Sequence, residues 1–278
     1  MNERDIWAAV ERLEILFRIL PKRLRTRRIG SYLGLLTMKF MDYMTRSNSV
    51  SDEEALEIGR AILGVYRTTT SIESLYGRPI DENIVNDSVF QQITQLFDSS
   101  EQAYDAADFT LFTAACISHR TGLAVSFVPV RKGSPTPDLQ VASLCYIECK
   151  DLAVTTASNV ELGLRDRLQK AGEQLASAQS KTRLPSAGAA IDVPIRLADP
   201  DDRRSLEVQR QASEVVRQTL TAPGAVDFVL LSVSGIYHTA TTVGFPHRHA
   251  VFIRPSLPPA ILGFLGKLTS DGRVYICA

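Results

Sequence analysis

The 278-residue chain has no net charge, with 31 Lys and Arg against 31 Asp and Glu. Affinity for a phosphate backbone grows with the number of basic contacts, so this balance argues against a general nucleic-acid coat protein and leaves room only for a local basic patch. Cysteine is scarce. Cys116, Cys145, Cys149 and Cys277 show no paired metal-ligand spacing, and two of them sit in apolar, strand-like sequence, so they read as reduced, buried thiols of a cytoplasmic protein. No apolar run approaches the roughly 20 residues that span a bilayer, which sets a membrane partner aside. Asn2 to Asp5 are polar and of mixed charge, where a secretory leader would be cationic and then apolar. Gly-x-Ser-x-Gly is absent, which removes a Ser-His-Asp hydrolase with a nucleophile elbow. Gly-x-x-x-x-Gly-Lys is absent too, and Gly263-Phe264-Leu265-Gly266-Lys267 has the wrong spacing for a phosphate-cradling loop. There is no internal repeat and no low-complexity tract. What remains is the composition of an ordinary folded protein, 45% hydrophobic and 22% charged, long enough for one large or two modest domains.

The N-terminal third patterns as helices. Ile6, Val10, Leu13, Phe17 and Leu20 recur at helical spacing up to Pro21, and a second helix fits Ile29 to Thr45. Ser51-Asp52-Glu53-Glu54 caps a third, expected to run to about Tyr66. Gly77 to Asn86 has loop composition, and Ser88 to Phe97 suits another helix. Beyond this the pattern alternates. A helix-like stretch over 105–120 is followed by a turn at Thr121-Gly122, a strand from Leu123 to Val130, a polar loop to Thr136 and a hairpin. A helix from Asn159 to Lys181, a break at Leu184 to Gly188, a strand from Ala189 to Leu197, a helix from Asp201 to Leu220 and a buried strand from Val226 to Val233 come next. Ala250 to Arg254 and Arg273 to Cys277 offer further strands. The expectation is an all-helical N-terminal region over 1–97 and an α/β domain over 98–278.

The hairpin carries the chemistry. Pro137-Asp138 is followed after nine residues by Glu148-Cys149-Lys150, the second half preceded by the apolar run Leu144, Cys145, Tyr146, Ile147. Side chains alternate along a strand, so Glu148 and Lys150 share a face while Ile147 and Cys149 share the other. Asp138 lies across from Glu148 if the pairing is centred on Ser143, with an odd-numbered loop. A two-residue turn at Ala142-Ser143 would separate the carboxylates onto opposite faces. Pro137 cannot donate to a ladder and suits the first position of such a strand. Two carboxylates at close range repel, and a cation between them is the natural remedy. Mg2+ is hard, takes oxygen ligands and is commonly held by one or two carboxylates, with the carbonyl of Cys149 as an extra ligand and Lys150 beside the attacking water.

With these elements around it, the motif resembles that of the PD-(D/E)xK nuclease superfamily, whose restriction-endonuclease-like core runs α-β-β-β-α-β about a mixed central sheet. The resemblance covers roughly residues 100 to 235 and rests on Asp138, Glu148 and Lys150. It implies a Mg2+- or Mn2+-dependent nuclease acting on DNA, with Asp138 and Glu148 as metal ligands and Lys150 as catalytic base or water-positioning residue. Members often place an acid on the first core helix. Here Asp105 and Asp108 share a face with Phe112, Ala115 and His119, and Glu101 lies a turn earlier. The family's usual residue is glutamate, so Asp105 or Asp108 would be a departure. Members also often carry a polar residue on the helix after the lysine strand, and Lys170 or Gln174 would be the one directed to the scissile phosphate, against a solvated polar face as the alternative.

Lys22, Arg23, Arg25, Arg27 and Arg28 form the densest positive run, either a nucleic-acid contact or a solvated face. His247 and His249 would share a strand face near His238, but with no Cys or third His at zinc-ligand spacing a surface or hydrogen-bonded role is expected. Two readings stand: the nuclease, as a monomer or a homodimer, or a catalytically inactive protein of the same fold that binds nucleic acid or another protein.

Overall fold

The computed structural model describes residues 3–19, 31–45, 51–77, 80, 93–97, 100–129, 136–152, 159–180, 186–198, 201–238, 243–244, 247–269 and 274–277. The protein is mixed α/β, with helices at its N-terminus and a mixed sheet after them. It divides into two compact units, residues 1–119 with 238–243, and residues 120–237 with 244–278.

The first unit is built from α1 (Glu3–Ile19), α2 (Tyr32–Thr45), α3 (Asp52–Tyr76) and the greater part of α4 (Glu101–Thr121). Leu13, Leu16 and Phe17 of α1 are buried together with Leu33 of α2, Val65 and Ile72 of α3, and Phe97, whose ring meets that of Phe17 edge-on at 5.4 Å. Ser51 caps α3 as its sequence suggests, accepting the Glu54 N–H at 3.3 Å. The helix then continues past Tyr66 to Tyr76. The run Thr68-Thr69-Thr70-Ser71 looks like a stop because hydroxyls compete for backbone bonds. Here the competition is resolved inside the helix, with Thr69 donating to the Val65 carbonyl at 2.9 Å and Thr70 to that of Tyr66 at 2.7 Å. Gly77, at φ 64°, ends α3 in the left-handed region that a residue with a side chain adopts at a cost. The expected loop at 77–86 and helix at 88–97 fall largely outside the described residues, as does the basic run from Lys22 to Arg28.

The second unit is a sheet of eight strands among the described residues, β1 (Val125–Phe127), β2 (Leu139–Val141), β3 (Cys145–Asp151), β4 (Ser186–Arg196), β5 (Phe228–His238), β6 (Val243–Gly244), β7 (His247–Ile253) and β8 (Val274–Ile276). Its order is β1-β2-β3-β4-β5-β7-β8, with β6 paired to β5. The first three strands are antiparallel, β3, β4 and β5 run parallel, β7 is antiparallel to β5, and β8 is parallel to β7. The parallel pairs are joined by α5 (Val160–Gln179) and α6 (Arg204–Thr221). Leu164, Leu168, Ala171 and Leu175 of α5 and Val208, Ala212, Val215 and Val216 of α6 pack with Ala189, Ile191, Val229 and Leu231 of the sheet. Among the described residues no helix is long and apolar enough to cross a membrane.

Three departures from the expected elements have physical causes. Gly188 reads as a breaker, yet it lies inside β4. The ring of Phe228, its partner on β5, occupies the volume where a side chain would stand, with atoms 2.1 to 2.6 Å from the position of an added Cβ. That ring meets Phe264 edge-on at 6.3 Å. Phe264 belongs to α7 (Pro259–Leu268), a helix with no counterpart in the expected pattern. Gly263 and Gly266 argue against helix by propensity, but Pro259 opens its first turn and an apolar face with Ile261, Phe264 and Leu265 is buried, so packing outweighs propensity. β5 also runs to His238 instead of stopping at Val233. Gly188→Ala is expected to destabilise the protein by about 1–3 kcal/mol by overpacking against Phe228, measured by urea unfolding. An unchanged midpoint would show that the ring moves aside freely.

Candidate active site

The hairpin pairs Leu139 with Ile147, Gln140 with Tyr146 and Val141 with Cys145, so its loop is Ala142, Ser143 and Leu144 and its register is centred on Ser143. Leu144 N–H closes the turn onto the Val141 carbonyl at 3.0 Å, and Ala142 N–H is held by the Ala124 carbonyl at 2.8 Å. Ala142 pays for the tight reversal with φ 45°. The same register, one step further, puts Asp138 opposite Glu148, on the face shared with Lys150. Asp138 is fixed from both sides: its carbonyl accepts the Val128 N–H at 2.9 Å, and its Oδ2 accepts the Cys149 N–H at 2.8 Å. A carboxylate thus replaces the ladder bond that β2 does not supply at this level. The N–H and C=O of one strand residue point toward the same neighbour, so the Cys149 carbonyl is directed to the Asp138 side.

Glu148 is fully buried. Lys150 Nζ bonds its Oε1, whereas Oε2 is buried and accepts no hydrogen bond. Burial pushes the Glu148 carboxyl up to about 8, and the neighbouring Asp138 carboxyl adds to the rise against the opposing pull of Lys150. Burial raises Asp138 as well, while the Cys149 N–H and Lys150 work the other way. The two carboxyls lie within hydrogen-bonding reach of each other. One ammonium cannot neutralise both, so the pair holds a proton or takes a cation.

The residues fit a hard divalent ion in one respect: the donorless Oε2 of Glu148 stands beside a second carboxyl, and both offer oxygen. Among the described residues no group of three or more His, Cys, Asp or Glu side chains is placed to hold a metal. Any divalent ion would therefore rest on Asp138, Glu148 and backbone oxygen, with water completing its shell.

On α5 the two candidates separate. Gln174 Nε2 reaches the Thr136 carbonyl, immediately before Pro137-Asp138, at 3.5 Å. Lys170 is exposed and pairs with Asp166 at 2.9 Å. Within the helical unit, Glu101 accepts from Tyr32 at 2.9 Å and from Arg60 at 3.0 Å. Asp108 is fully buried, bonded by Thr68 at 2.6 Å and paired with Arg67, whose guanidinium also lies 5.6 Å from the centre of the Phe112 ring. Asp105 is half-buried and His119 exposed.

A second polar group escapes sequence reasoning. Asp192 of β4 is opposite Asp151 of β3 and Ser232 of β5, and Ser232 is opposite His249 of β7, forming one lateral row. Strand parity sets this row on the face away from Glu148 and Lys150. In the sequence only Asp192, alone among the apolar residues from Ala189 to Ile195, marks it. No disulfide joins the four cysteines. No protein-family model, curated protein or solved structure matches the chain.

Two measurements bear on this geometry. Ala142→Gly is expected to raise stability by about 0.5–1 kcal/mol, because the left-handed region costs an alanine roughly 1–2 kcal/mol and glycine returns part of that as chain entropy; a loss would mean that the turn is not as described. Glu148 binds its proton more tightly when folded than when unfolded. Its contribution to stability is therefore fully present below about 4.5 and declines as pH rises toward about 8. Glu148→Gln should become progressively more stable relative to wild type across that window in thermal melts without divalent ions. A pH-independent difference would contradict it.

Proposed function

We propose that the chain is a Mg2+- or Mn2+-dependent nuclease that hydrolyses phosphodiester bonds, with DNA as substrate. The observation that carries this reading is the hairpin register, which sets Asp138 opposite Glu148 with Lys150 bonded to the same buried carboxylate. The order of elements supports it. From Glu101 the chain runs helix, three antiparallel strands, helix, and a strand parallel to the third, and an α-β-β-β-α-β order is what the resemblance to the restriction-endonuclease-like fold calls for.

Asp138 and Glu148, with the Cys149 carbonyl, would hold the divalent ion. When bound, that ion supplies charge neutralisation at the phosphate and acidifies water. Lys150 is placed on the same face to orient the attacking water and to offset charge on the phosphate oxygens. Gln174 acts one step back, holding the Thr136 carbonyl and with it the turn that presents Asp138. Burial of Glu148 keeps the ligand rigid before substrate arrives.

A second reading, a catalytically inactive protein of this fold that binds nucleic acid or protein, draws on the engagement of Glu101 and Asp108 within the helical unit. Purified protein incubated with supercoiled and linear DNA in Mg2+ or Mn2+ separates the two. Cleavage is expected from wild type, with a loss of about 100-fold or more in Asp138→Ala and Lys150→Ala. Equal cleavage by all three would indicate contamination and sink the assignment. Retained DNA binding without cleavage would favour the inactive reading.

A further inference from the structure

Taking DNA as the substrate, as the nuclease reading of the Asp138–Glu148 site has it, we infer that Arg248 binds a backbone phosphate other than the one that is cut, on the face of the sheet that carries Lys150. Arg248 is the second residue of β7 and pairs with Val233 of β5, which pairs with Val193 of β4. Leu152, just past the end of β3, bonds the Asp192 carbonyl through its N–H and so stands beside Val193. Leu152, Val193 and Val233 belong to the apolar core, and the fourth member of their row is a guanidinium. By parity the row shares its face with Lys150, two residues before Leu152. On this face of β3, β4, β5 and β7 the basic side chains are Lys150 and Arg248.

The fold accommodates Arg248 unlike its other enclosed arginines. Arg67 is matched by the Asp108 carboxylate, and Arg254 donates to the Val226 and Ala222 carbonyls, each at 2.7 Å. Arg248 is half-buried, its Nε is inaccessible, and among the described residues that nitrogen has no acceptor and the side chain no ion pair. Of the acids at the start of α6, Asp202 pairs with Arg204 and Glu207 with Arg210. A partly buried guanidinium left this way costs stability, and such groups concentrate where a ligand supplies the missing partner. Phosphate oxygens match its fork of donors. β3 ends at Asp151 and β7 begins at His247, each within a residue of this row, so Lys150 and Arg248 flank the parallel strands β4 and β5 toward their carboxyl ends, the side on which open sheets of this kind bind ligands. Three strand spacings, about 14 Å, separate β3 from β7. One phosphate cannot meet both cations, whereas a strand charged at every nucleotide can.

Fluorescence anisotropy of a labelled DNA duplex titrated with the full chain in EDTA, at several salt concentrations, reads binding without cleavage. Wild type is expected to bind. Arg248→Met should bind at least about tenfold more weakly at low salt, with a log-log salt slope smaller by about one, and Arg248→Lys should keep the wild-type slope. Methionine suits an apolar row, so Arg248→Met should also melt at or above the wild-type temperature, whereas an arginine serving the fold alone would lower melting and leave the slope as it was. Absence of DNA binding by wild type, an unchanged affinity or slope in Arg248→Met, or a lower melting temperature in that variant overturns the inference. The two readings fail separately. Binding that depends on Arg248, with no cleavage in Mg2+, supports the phosphate site and defeats the nuclease; cleavage by Arg248→Met at the wild-type KM defeats the phosphate site and leaves the nuclease standing.

Discussion

Side chains repeat every two residues along a strand, so only alternate registers of β2 against β3 allow Asp138 and Glu148 to meet. The three-residue loop selects one of them, and much of the site's geometry depends on that selection. Several small constraints act together to hold it. Ala142 accepts a left-handed backbone, its N–H is tied to Ala124, and Val128, just after β1, holds the Asp138 carbonyl through its N–H. A slip of β2 by one residue would carry Leu139 and Val141, both fully buried, to the face of Glu148 and Lys150, so the hydrophobic effect and the local turn geometry specify the same pairing. On the other side β3 is locked in parallel to β4, leaving the Glu148 carboxyl little freedom to withdraw.

Two buried acids show how differently a carboxylate can be accommodated. Asp108 meets a guanidinium and a hydroxyl in the helical unit, and Tyr104 lies 3.2 Å from that same Thr68 hydroxyl. Such an arrangement satisfies the charge and acts as an anchor between α3 and α4. Glu148 receives one amine, faces another carboxyl and leaves one oxygen without a donor. Incomplete neutralisation of this kind costs stability, and groups held this way concentrate where ions or substrates bind. The contrast separates a fully neutralised acid from an incompletely neutralised one, although both are equally hidden from solvent.

Much of the candidate site was legible in the residues. Pro137, Asp138, Glu148 and Lys150 announce themselves by type and spacing, and strand parity alone places Glu148 with Lys150. The register was legible only as a choice between two loops, because Ala142-Ser143-Leu144 contains no glycine or asparagine to mark its left-handed position. Gln174 and Lys170 were equivalent by helical spacing. What distinguishes them is the approach of Gln174 to Thr136, a contact between segments far apart in the chain.

Composition, periodicity and turn chemistry are local quantities, and they determined the helical N-terminal region, the alternation of helices and strands after it, and the identity of the hairpin residues. Where elements ended, and which glycines could be tolerated, was decided by packing. Thr69 and Thr70 could continue α3 because their hydroxyls found carbonyls one turn back, and Gly188 could sit in a strand because Phe228 fills the space beside it. The lateral row from Asp151 through Asp192 and Ser232 to His249 exists only once four strands are aligned, since sheet neighbours on β3, β4, β5 and β7 have no signature in linear order. Local sequence sets what each segment prefers; long-range contact decides which side chains of separate segments share a surface.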